Sequence, residues 1–234
     1  MSYPSAPWML QGHALQTLQL IDVERVRSLI PPELEIISVF PGKTVGGVYL
    51  SYYGSGSVLE YSELIVVAGL VSYSGKLGGW VSHIYVDNPN SVAGGREIWG
   101  LPKQLAEFTW ENGKAVKPDA GHSSASWHHN QVTVRQGAQL LCSLRYNWQS
   151  FGLPIPFSGN IFSTLDSSIL LFQGQVESHI GLVNGKLTVP AESPFGSLEL
   201  GKPWLTLYCD QMRLITREPE AVGHRKTEFS YSVN

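Results

Sequence analysis

Residues 94–107 read GGREIWGLPKQLAE, a stretch that combines a glycine pair, opposite charges, an aromatic side chain and a Pro-Lys pair. The two glycines favour a tight turn or a close backbone approach. Pro102 suits the first position of a short helix, which would place Lys103 in the first turn of that helix. A cation is disfavoured there because the peptide dipoles present positive partial charge at a helix N-terminus. The stretch therefore predicts a lysine in an environment that disfavours its positive charge.

The neighbours of Lys103 point the same way. Ile98, Trp99, Leu101 and Leu105 are expected to surround the amine with apolar walls. Burial disfavours the ammonium and lowers the pKa of a lysine, and the neutral amine is the form that attacks a carbonyl carbon. A solvated surface lysine is the alternative. If Lys103 is buried near Trp99 and the helix start, its replacement by methionine is expected to be neutral or stabilising at pH 7, and a clearly less stable variant would show a paired, structural cation.

The stretch also resembles a known signature. Gly95-Arg96-Glu97 followed by Pro102-Lys103 is similar to the Schiff-base signature of the acetoacetate decarboxylase family, and Tyr61-Ser62-Glu63 resembles its Tyr-x-Glu segment. The similarity extends over roughly residues 7–110. It implies a cone-like β-barrel whose cavity the lysine lines. It also implies a carbon–carbon lyase that acts on a keto acid or related carbonyl compound, with Lys103 as the nucleophile and no cofactor.

The resemblance assigns roles to further residues. It implies that Glu63 is the acid–base group, with Glu60 as its rival three residues earlier. Arg96 and Glu97 either form an ion pair that fixes the loop or line the site. Trp99 is expected to contribute an apolar wall to the substrate site.

Two positions depart from the family pattern. Gln104 stands where the decarboxylases usually carry a second lysine, and His13 falls where they place an arginine for the substrate carboxylate. Histidine is mostly neutral at pH 7 and lacks the bidentate guanidinium fork. Either the carboxylate is held more weakly or the substrate is not a short keto acid. His13 is alternatively a strand histidine that a backbone carbonyl satisfies.

Two other functions therefore stay open. Some members of the superfamily are aldolase–dehydratases, which use the same iminium. Residues 7–71 also resemble the plant neoxanthin-deficient proteins, which implies a non-catalytic barrel that binds a hydrophobic ligand such as a carotenoid or lipid.

Composition excludes other classes. The 234 residues carry a net charge of −3 and no basic run, so nucleic acid is not an expected partner. The longest apolar run, residues 64–71, is too short to span a bilayer. Charged residues make up only 15%, which favours burial between subunits and hence a homo-oligomer. Two cysteines and an N-terminus without signal-peptide character predict a cytoplasmic location.

Metal and dinucleotide sites are not expected either. His122, His128 and His129 match no usual ligand spacing, and no nearby cysteine or aspartate completes a site. The glycine pair at 94–95 lacks the spacing of a dinucleotide fingerprint. We expect no bound cofactor.

The remaining pattern predicts a mainly β chain with few helices (α+β), folded as one antiparallel β-barrel domain over residues 1–234. Residues 1–12 are expected to form an irregular arm and residues 217–234 a loose tail. A helix is predicted from an Asp22 N-cap to Ile30. Strands are predicted at 34–40, 44–53, 64–73, 80–86, 123–128, 131–136, 140–148, 170–176 and 204–214. Asn112-Gly113 and Asn184-Gly185 predict hairpins, and residues 151–159 a long connection.

Overall fold

A computed structural model describes residues 3–111, 115–116, 127–148 and 153–225. Within them the helices are α1 (Val23–Val26) and α2 (Pro89–Trp99), with 3-10 turns at Arg27–Leu29 and Gly196–Leu198. The strands are β1 (Trp8–Asp22), β2 (Glu35–Ile36), β3 (Lys43–Tyr53), β4 (Tyr61–Tyr73), β5 (Lys76–Val86), β6 (Lys103–Leu105), β7 (Glu107–Glu111), β8 (Ala115–Val116), β9 (Trp127–Gln136), β10 (Gln139–Trp148), β11 (Leu153–Leu165), β12 (Ser168–Leu182), β13 (Asn184–Thr188), β14 (Leu205–Thr216) and β15 (Glu220–His224).

The predicted barrel is confirmed. In the described part of the chain, seven strands follow the order β4-β3-β1-β14-β12-β11-β5, and pairing of β5 with β4 closes the ring. The barrel is mixed, because β11 runs parallel to β5, with Ile161 opposite Gly79. β6 lies beside β5 and pairs with it in parallel, with Lys103 opposite Ile84.

A second sheet covers part of the outer face of the barrel. It has the order β13-β10-β9-β7, and β8 also pairs with β9. Val48 and Leu50 of β3 belong to the same apolar core as Val132 and Leu144 of this sheet. Side chains alternate between the two faces of a strand, so Tyr49 and Tyr53 of β3 face the barrel interior instead.

The helix predicted to begin at Pro102 is wrong. The helix is α2, which lies upstream, and Gly94-Gly95 are part of it rather than a turn. Asn88 caps its N-terminus by accepting a hydrogen bond from Asn90 N at 2.9 Å, and Pro89 occupies its first turn. Gly100 ends it with φ 61°, a left-handed conformation suited to glycine. Lys103 therefore begins a strand.

Both chain ends are more ordered than predicted. β1 begins at Trp8, which is buried and pairs with Thr216, so the irregular arm stops at residue 7. β15 lies in the expected loose tail and pairs with β12. Residues 226–234 lie outside the described residues.

The hairpin predicted at Asn184-Gly185 does not form. Both residues lie inside β13, which pairs with β10 and not with β12. Pairing with a distant strand prevails there over the local turn preference. The turn of the other predicted hairpin, Asn112-Gly113, lies outside the described residues, and the described strands on either side of it both pair with β9.

The long connection predicted at 151–159 is largely strand, since β11 begins at Leu153. Pro154 and Pro156 are tolerated because this half of β11 pairs with β12 alone, and its contact with β5 begins at Ile161. The strand predicted at 34–40 shrinks to β2. Strands at 44–53, 64–73 and 80–86 correspond to β3, β4 and β5.

The predicted helix after Asp22 is also shorter than expected, since α1 passes into a 3-10 turn after Val26. Asp22 occupies the N-cap position without making a side-chain cap. Its carboxylate instead accepts a hydrogen bond from Lys43 Nζ at 2.6 Å. Neither this helix nor α2, the helices within the described ranges, is long and apolar enough to cross a membrane.

Candidate active site

A cavity of about 300 Å³ lies inside the barrel. Its lining is mostly aliphatic and aromatic, and it comes from every barrel strand and from the segment that follows α2. The polar and aromatic side chains of the lining include Trp8, Gln16, Tyr49, Tyr53, Tyr61, Glu63, Trp99, Lys103 and Phe157. Such an enclosed apolar space with few polar groups is typical of a small-molecule site.

Lys103 reaches the cavity from the first position of β6 and is 3% exposed. Arg96 holds its backbone, because the Arg96 Nε donates a hydrogen bond to the Lys103 carbonyl at 2.8 Å. The aliphatic stem of the lysine passes over Gly95 of α2. A Cβ at residue 95 would lie 2.6 Å from Lys103 Cε, so this close approach needs glycine.

The amine of Lys103 has two polar partners. Its Nζ donates hydrogen bonds to Glu63 Oε1 at 2.7 Å and to Ser91 Oγ at 3.0 Å. The rings of Tyr61 and Trp8 lie on its apolar side, with centroids 5.0 and 5.7 Å from Nζ. The amine is thus held in one position by charge, hydrogen bonds and cation–π contacts.

Ser91 lies in the first turn of α2, so the positive end of a helix dipole does face the amine. The sequence also predicts a helix N-terminus next to Lys103, but it assigns this end to a helix that begins at Pro102 rather than to α2. Trp99 and Leu101 line the cavity as expected, whereas Leu105 is exposed on β6.

Glu63 begins a chain of hydrogen bonds along the inner wall of the barrel. Its carboxylate is 4% exposed, and Oε2 accepts a hydrogen bond from the Tyr53 hydroxyl at 3.3 Å. The hydroxyls of Tyr53 and Tyr49 are 3.1 Å apart. Burial raises the pKa of both phenols, and the negative charge of Glu63 raises each further. Both tyrosines therefore stay protonated.

Among the described residues that line the cavity, Lys103 and Glu63 carry the charges. They form one ion pair whose side chains are 4% and 6% exposed. Removing two charges from water is costly, and the direct contact together with the Ser91 and Tyr53 hydrogen bonds offsets that cost. The cavity as a whole is electrically neutral.

Among the other predicted site residues, Arg96 and Glu97 lie outside the cavity lining, whereas Trp99 belongs to it. Arg96 is exposed, and its guanidinium bonds backbone rather than Glu97. Glu97 accepts a hydrogen bond from the Tyr3 hydroxyl on the surface. Trp99 does line the cavity, and its Nε1 donates to the Arg217 carbonyl at 2.8 Å.

The other three lie elsewhere. Gln104 is exposed on β6, where its Oε1 accepts a hydrogen bond from Gln136. Glu60 is exposed on the surface, so Glu63 is the carboxylate brought to the lysine. His13 is half-buried on the outer face of β1, with its ring against Trp110 and Tyr208. The predicted contacts of these residues with substrate therefore find no support in their positions.

Sequence reasoning missed the residues that surround the amine. Tyr49 and Tyr53 share one face of β3, a signal visible in their spacing, but nothing in the spacing tells which face lines a cavity. Ser91 and Trp8 are distant in sequence from Lys103 and meet it only through the fold.

No cluster of three histidine, cysteine or acidic side chains suited to a metal occurs within the described residues. His122 and the side chains of His128 and His129 lie outside the described part of the chain. Cys142 and Cys209 are separate, buried and free.

Comparison with known proteins agrees with the barrel fold. The family model for acetoacetate decarboxylase matches residues 1–154. The chain belongs to the acetoacetate decarboxylase family. A tomato (Solanum lycopersicum) relative, Neoxanthin-deficient 1, is 28% identical over 223 residues, which cover 82% of this chain and 75% of that protein.

An acetoacetate decarboxylase of Paraburkholderia phytofirmans is 34% identical over 115 residues, covering 45% of this chain and 40% of the enzyme. The family relationship to that enzyme thus rests on less than half of its length. Among solved structures, acetoacetate decarboxylase from Legionella pneumophila covers 96% of this chain, with 90% of its own length matched, 18% identity and a TM-score of 0.68. The enduracididine biosynthesis enzyme MppR, complexed with pyruvate, matches 97% of this chain and 93% of its own, with 16% identity and a TM-score of 0.69. These structural likenesses concern the fold.

Proposed function

We propose that the protein is a Schiff-base-forming carbon–carbon lyase that acts on a carbonyl compound. Lys103 is the nucleophile and Glu63 the acid–base group. The observation that carries the proposal is the Lys103 amine, buried at the wall of an apolar cavity and 2.7 Å from the Glu63 carboxylate. Nucleophile and base are within hydrogen-bond reach of each other, as covalent catalysis requires.

The first step follows from this pair. Glu63 takes a proton from the Lys103 ammonium, and the neutral amine adds to the carbonyl carbon. Glu63 then returns that proton to the carbinolamine hydroxyl, which leaves as water while the C=N bond forms. The ammonium has become an iminium and the carboxylate is restored, so the charge of the pair is unchanged.

The iminium then draws electrons from an adjacent bond. In decarboxylation the bond to the carboxylate breaks and carbon dioxide leaves. In aldol cleavage Glu63 takes the proton of a β-hydroxyl while the Cα–Cβ bond breaks. Both give an enamine, which is protonated at carbon and hydrolysed by water to release the product and the free amine. The Tyr53 hydroxyl, 3.3 Å from Glu63, supports the carboxylate during these transfers.

Borohydride trapping tests the proposal. Protein is mixed with pyruvate, acetoacetate or heptan-2-one, reduced with borohydride, digested and analysed by mass spectrometry. We expect added mass on the peptide that contains Lys103, and none there in Lys103→Ala. Lys76→Ala, which removes an exposed lysine on the barrel surface, is expected to trap like wild type. Absence of any adduct at Lys103, while a genuine acetoacetate decarboxylase is trapped, contradicts the proposal.

An aldolase–dehydratase is the second candidate within the same chemistry. The positions of Gln104 and His13 favour it, because neither supplies a cation to the cavity for a substrate carboxylate. Release of carbon dioxide from a keto acid supports decarboxylation, whereas a condensation product from an aldehyde and a ketone supports the aldolase.

A non-catalytic barrel for a hydrophobic ligand is the third candidate. The apolar lining favours it, as does similarity to Neoxanthin-deficient 1. If this is the function, Lys103→Ala binds an apolar fluorescent probe as wild type does and no carbonyl compound is trapped.

We also propose that the protein is a cytoplasmic homo-oligomer. Two buried free cysteines support a reducing compartment. Leu153, Ile155 and Phe157 lie exposed along β11, where a partner would cover them. Light scattering that shows a monomer at micromolar concentration contradicts the assembly.

A further inference from the structure

The charge inventory of the cavity restricts the substrate. Lys103 and Glu63 neutralise each other, and condensation with a carbonyl leaves an iminium in place of the ammonium, still opposite the carboxylate. Every other described residue of the lining is uncharged. A substrate that brings a carboxylate would therefore leave one negative charge without a partner in an apolar space, which is strongly disfavoured.

Two arginines beside residues of the lining do not supply a positive partner for a substrate carboxylate. Arg96 is exposed and bonds the carbonyl of Lys103. Arg217 is exposed, and its guanidinium donates to Gln175 at 3.0 Å. Neither belongs to the cavity lining. Glu63 would in addition repel a carboxylate that lies close to the iminium.

The uncharged polar groups define the rest of the fit. The Tyr49 hydroxyl continues the hydrogen-bond chain that starts at Glu63 and also contacts a methionine sulfur at 3.4 Å, while the Gln16 amide nitrogen donates to two backbone carbonyls. Each of the two groups has an oxygen that suits a substrate hydroxyl. Burial raises the pKa of Tyr49, so this end of the site also stays neutral. The apolar walls and the half-exposed Phe157 of the lining suit an aliphatic or aromatic body.

We infer that the substrate is an uncharged ketone or aldehyde with an apolar body, rather than a keto acid. This inference rests on the proposed Schiff-base function and narrows its substrate class. It points to cleavage or formation of a carbon–carbon bond beside a neutral carbonyl as the reaction, with the electron balance given above for the aldol step.

A matched pair of ketones tests the inference. Heptan-2-one and 6-oxoheptanoate have the same chain length and the same methyl ketone, and they differ in a terminal methyl or carboxylate. Trapping at Lys103 is measured by mass spectrometry over a range of concentrations at pH 7. We expect half-maximal trapping of heptan-2-one at a concentration about tenfold or more below that of 6-oxoheptanoate, because the acid brings an unpaired charge.

Placing a cation in the cavity sharpens the test. Gln16→Arg is expected to shift the preference toward 6-oxoheptanoate, whereas Gln104→Arg, which adds the same charge at an exposed position outside the cavity, is expected to keep the wild-type preference. Circular dichroism verifies that both variants fold, and the wild-type comparison stands without them. Equal trapping of both ketones, or preference for the acid, overturns the substrate class while the lysine chemistry stands. Trapping of neither ketone nor any other carbonyl compound overturns the proposed function and this inference with it.

Discussion

Two regions of the molecule are lined mainly by apolar side chains, and they treat polar groups in opposite ways. The barrel interior keeps open space and holds a lysine–glutamate pair with three tyrosines. The layer between the barrel and the second sheet is filled with apolar side chains. His13 and His83 lie half-buried on the outer face of the barrel, and burial lowers the pKa of each, so both favour the neutral form.

The different treatment of polar groups distinguishes the packed outer layer from the candidate reactive site in the interior. On the outer face, polar side chains become neutral, as burial normally dictates. Cys142 follows the same rule, since burial raises the pKa of its thiol to about 12. In the interior, two opposite charges are kept at a cost that packing alone does not require. That retained pair, next to unfilled space, is the strongest structural argument for a reactive site.

The largest expected effect comes from breaking the pair. Lys103→Met leaves the Glu63 carboxylate buried without its partner, so we expect a loss of about 3–5 kcal/mol in the free energy of unfolding. This replaces the sequence-based expectation of a neutral or stabilising variant, because the structure pairs Lys103 with Glu63. Urea unfolding at pH 7 measures it.

The double variant Lys103→Met/Glu63→Leu serves as the control. It removes both charges, and we expect it to recover most of the loss. If Lys103→Met alone is as stable as wild type, the interior does not hold a charged pair. Its polar groups would then be neutral, as they are in the outer layer.

The next effect concerns the glycine under the lysine. Gly95→Ala improves helix propensity by about 1 kcal/mol, yet its Cβ would lie 2.6 Å from Lys103 Cε and must displace the stem. A misplacement on the order of 1 Å costs about 100-fold in rate, so we expect trapping to slow by that order while stability is kept. Stopped-time borohydride trapping measures the rate.

Gly159→Ala is the matched control, because residue 159 also lines the cavity but a Cβ there meets no atom within 4 Å. It is expected to trap at the wild-type rate. Equal rates in both variants would show that the position of Lys103 is not set by α2.

A smaller effect is expected along the tyrosine chain. Tyr53→Phe removes the hydrogen bond to Glu63 Oε2 and with it about 1 kcal/mol of support for the carboxylate. We expect trapping to slow by roughly fivefold to tenfold, with the half-saturating ketone concentration unchanged. Tyr49→Phe, one step further from Glu63, is expected to slow it less. If both variants slow trapping equally, the hydroxyls do not act through Glu63.

The sequence predicts the lysine–glutamate pair and part of the apolar wall, Trp99 and Leu101, but not the rest of the lining. Its family motifs single out Lys103 and Glu63, which the structure brings within 2.7 Å of each other although they are forty residues apart. Strand composition locates β3, β4 and β5. The Asn88 cap and Gly100 mark the true helix, and both signals were available in the sequence.

Other features depend on partners that are distant in the chain. Asn184-Gly185 has strong hairpin character, yet the residues lie in β13 because β10 offers a full set of backbone partners. The family resemblance predicts His13 near the substrate, but β1 turns that position to the outer face of the barrel. Local preference gives the strand, whereas tertiary contacts decide which face becomes a cavity.

The smallest expected effect tests the neutral outer layer through pH. Burial lowers the pKa of His13 below its usual 6.5, and the charge of Asp210 partly opposes this. Between pH 6.5 and the lower folded value, the unfolded chain binds a proton that the folded protein does not. The free energy of unfolding therefore falls as the pH drops through this window. His13→Phe removes that contribution, so the variant should lose less stability than wild type between pH 7.5 and 5.5. The difference in slope is at most about 1.4 kcal/mol per pH unit.

Asp210→Asn should steepen the wild-type slope, because it removes the charge that favours protonation. Urea unfolding at the two pH values measures all three proteins. Identical slopes for wild type and His13→Phe would mean that His13 is protonated equally easily in the folded and unfolded protein. The barrel interior and the outer layer would then differ in their open space but not in how they treat charge.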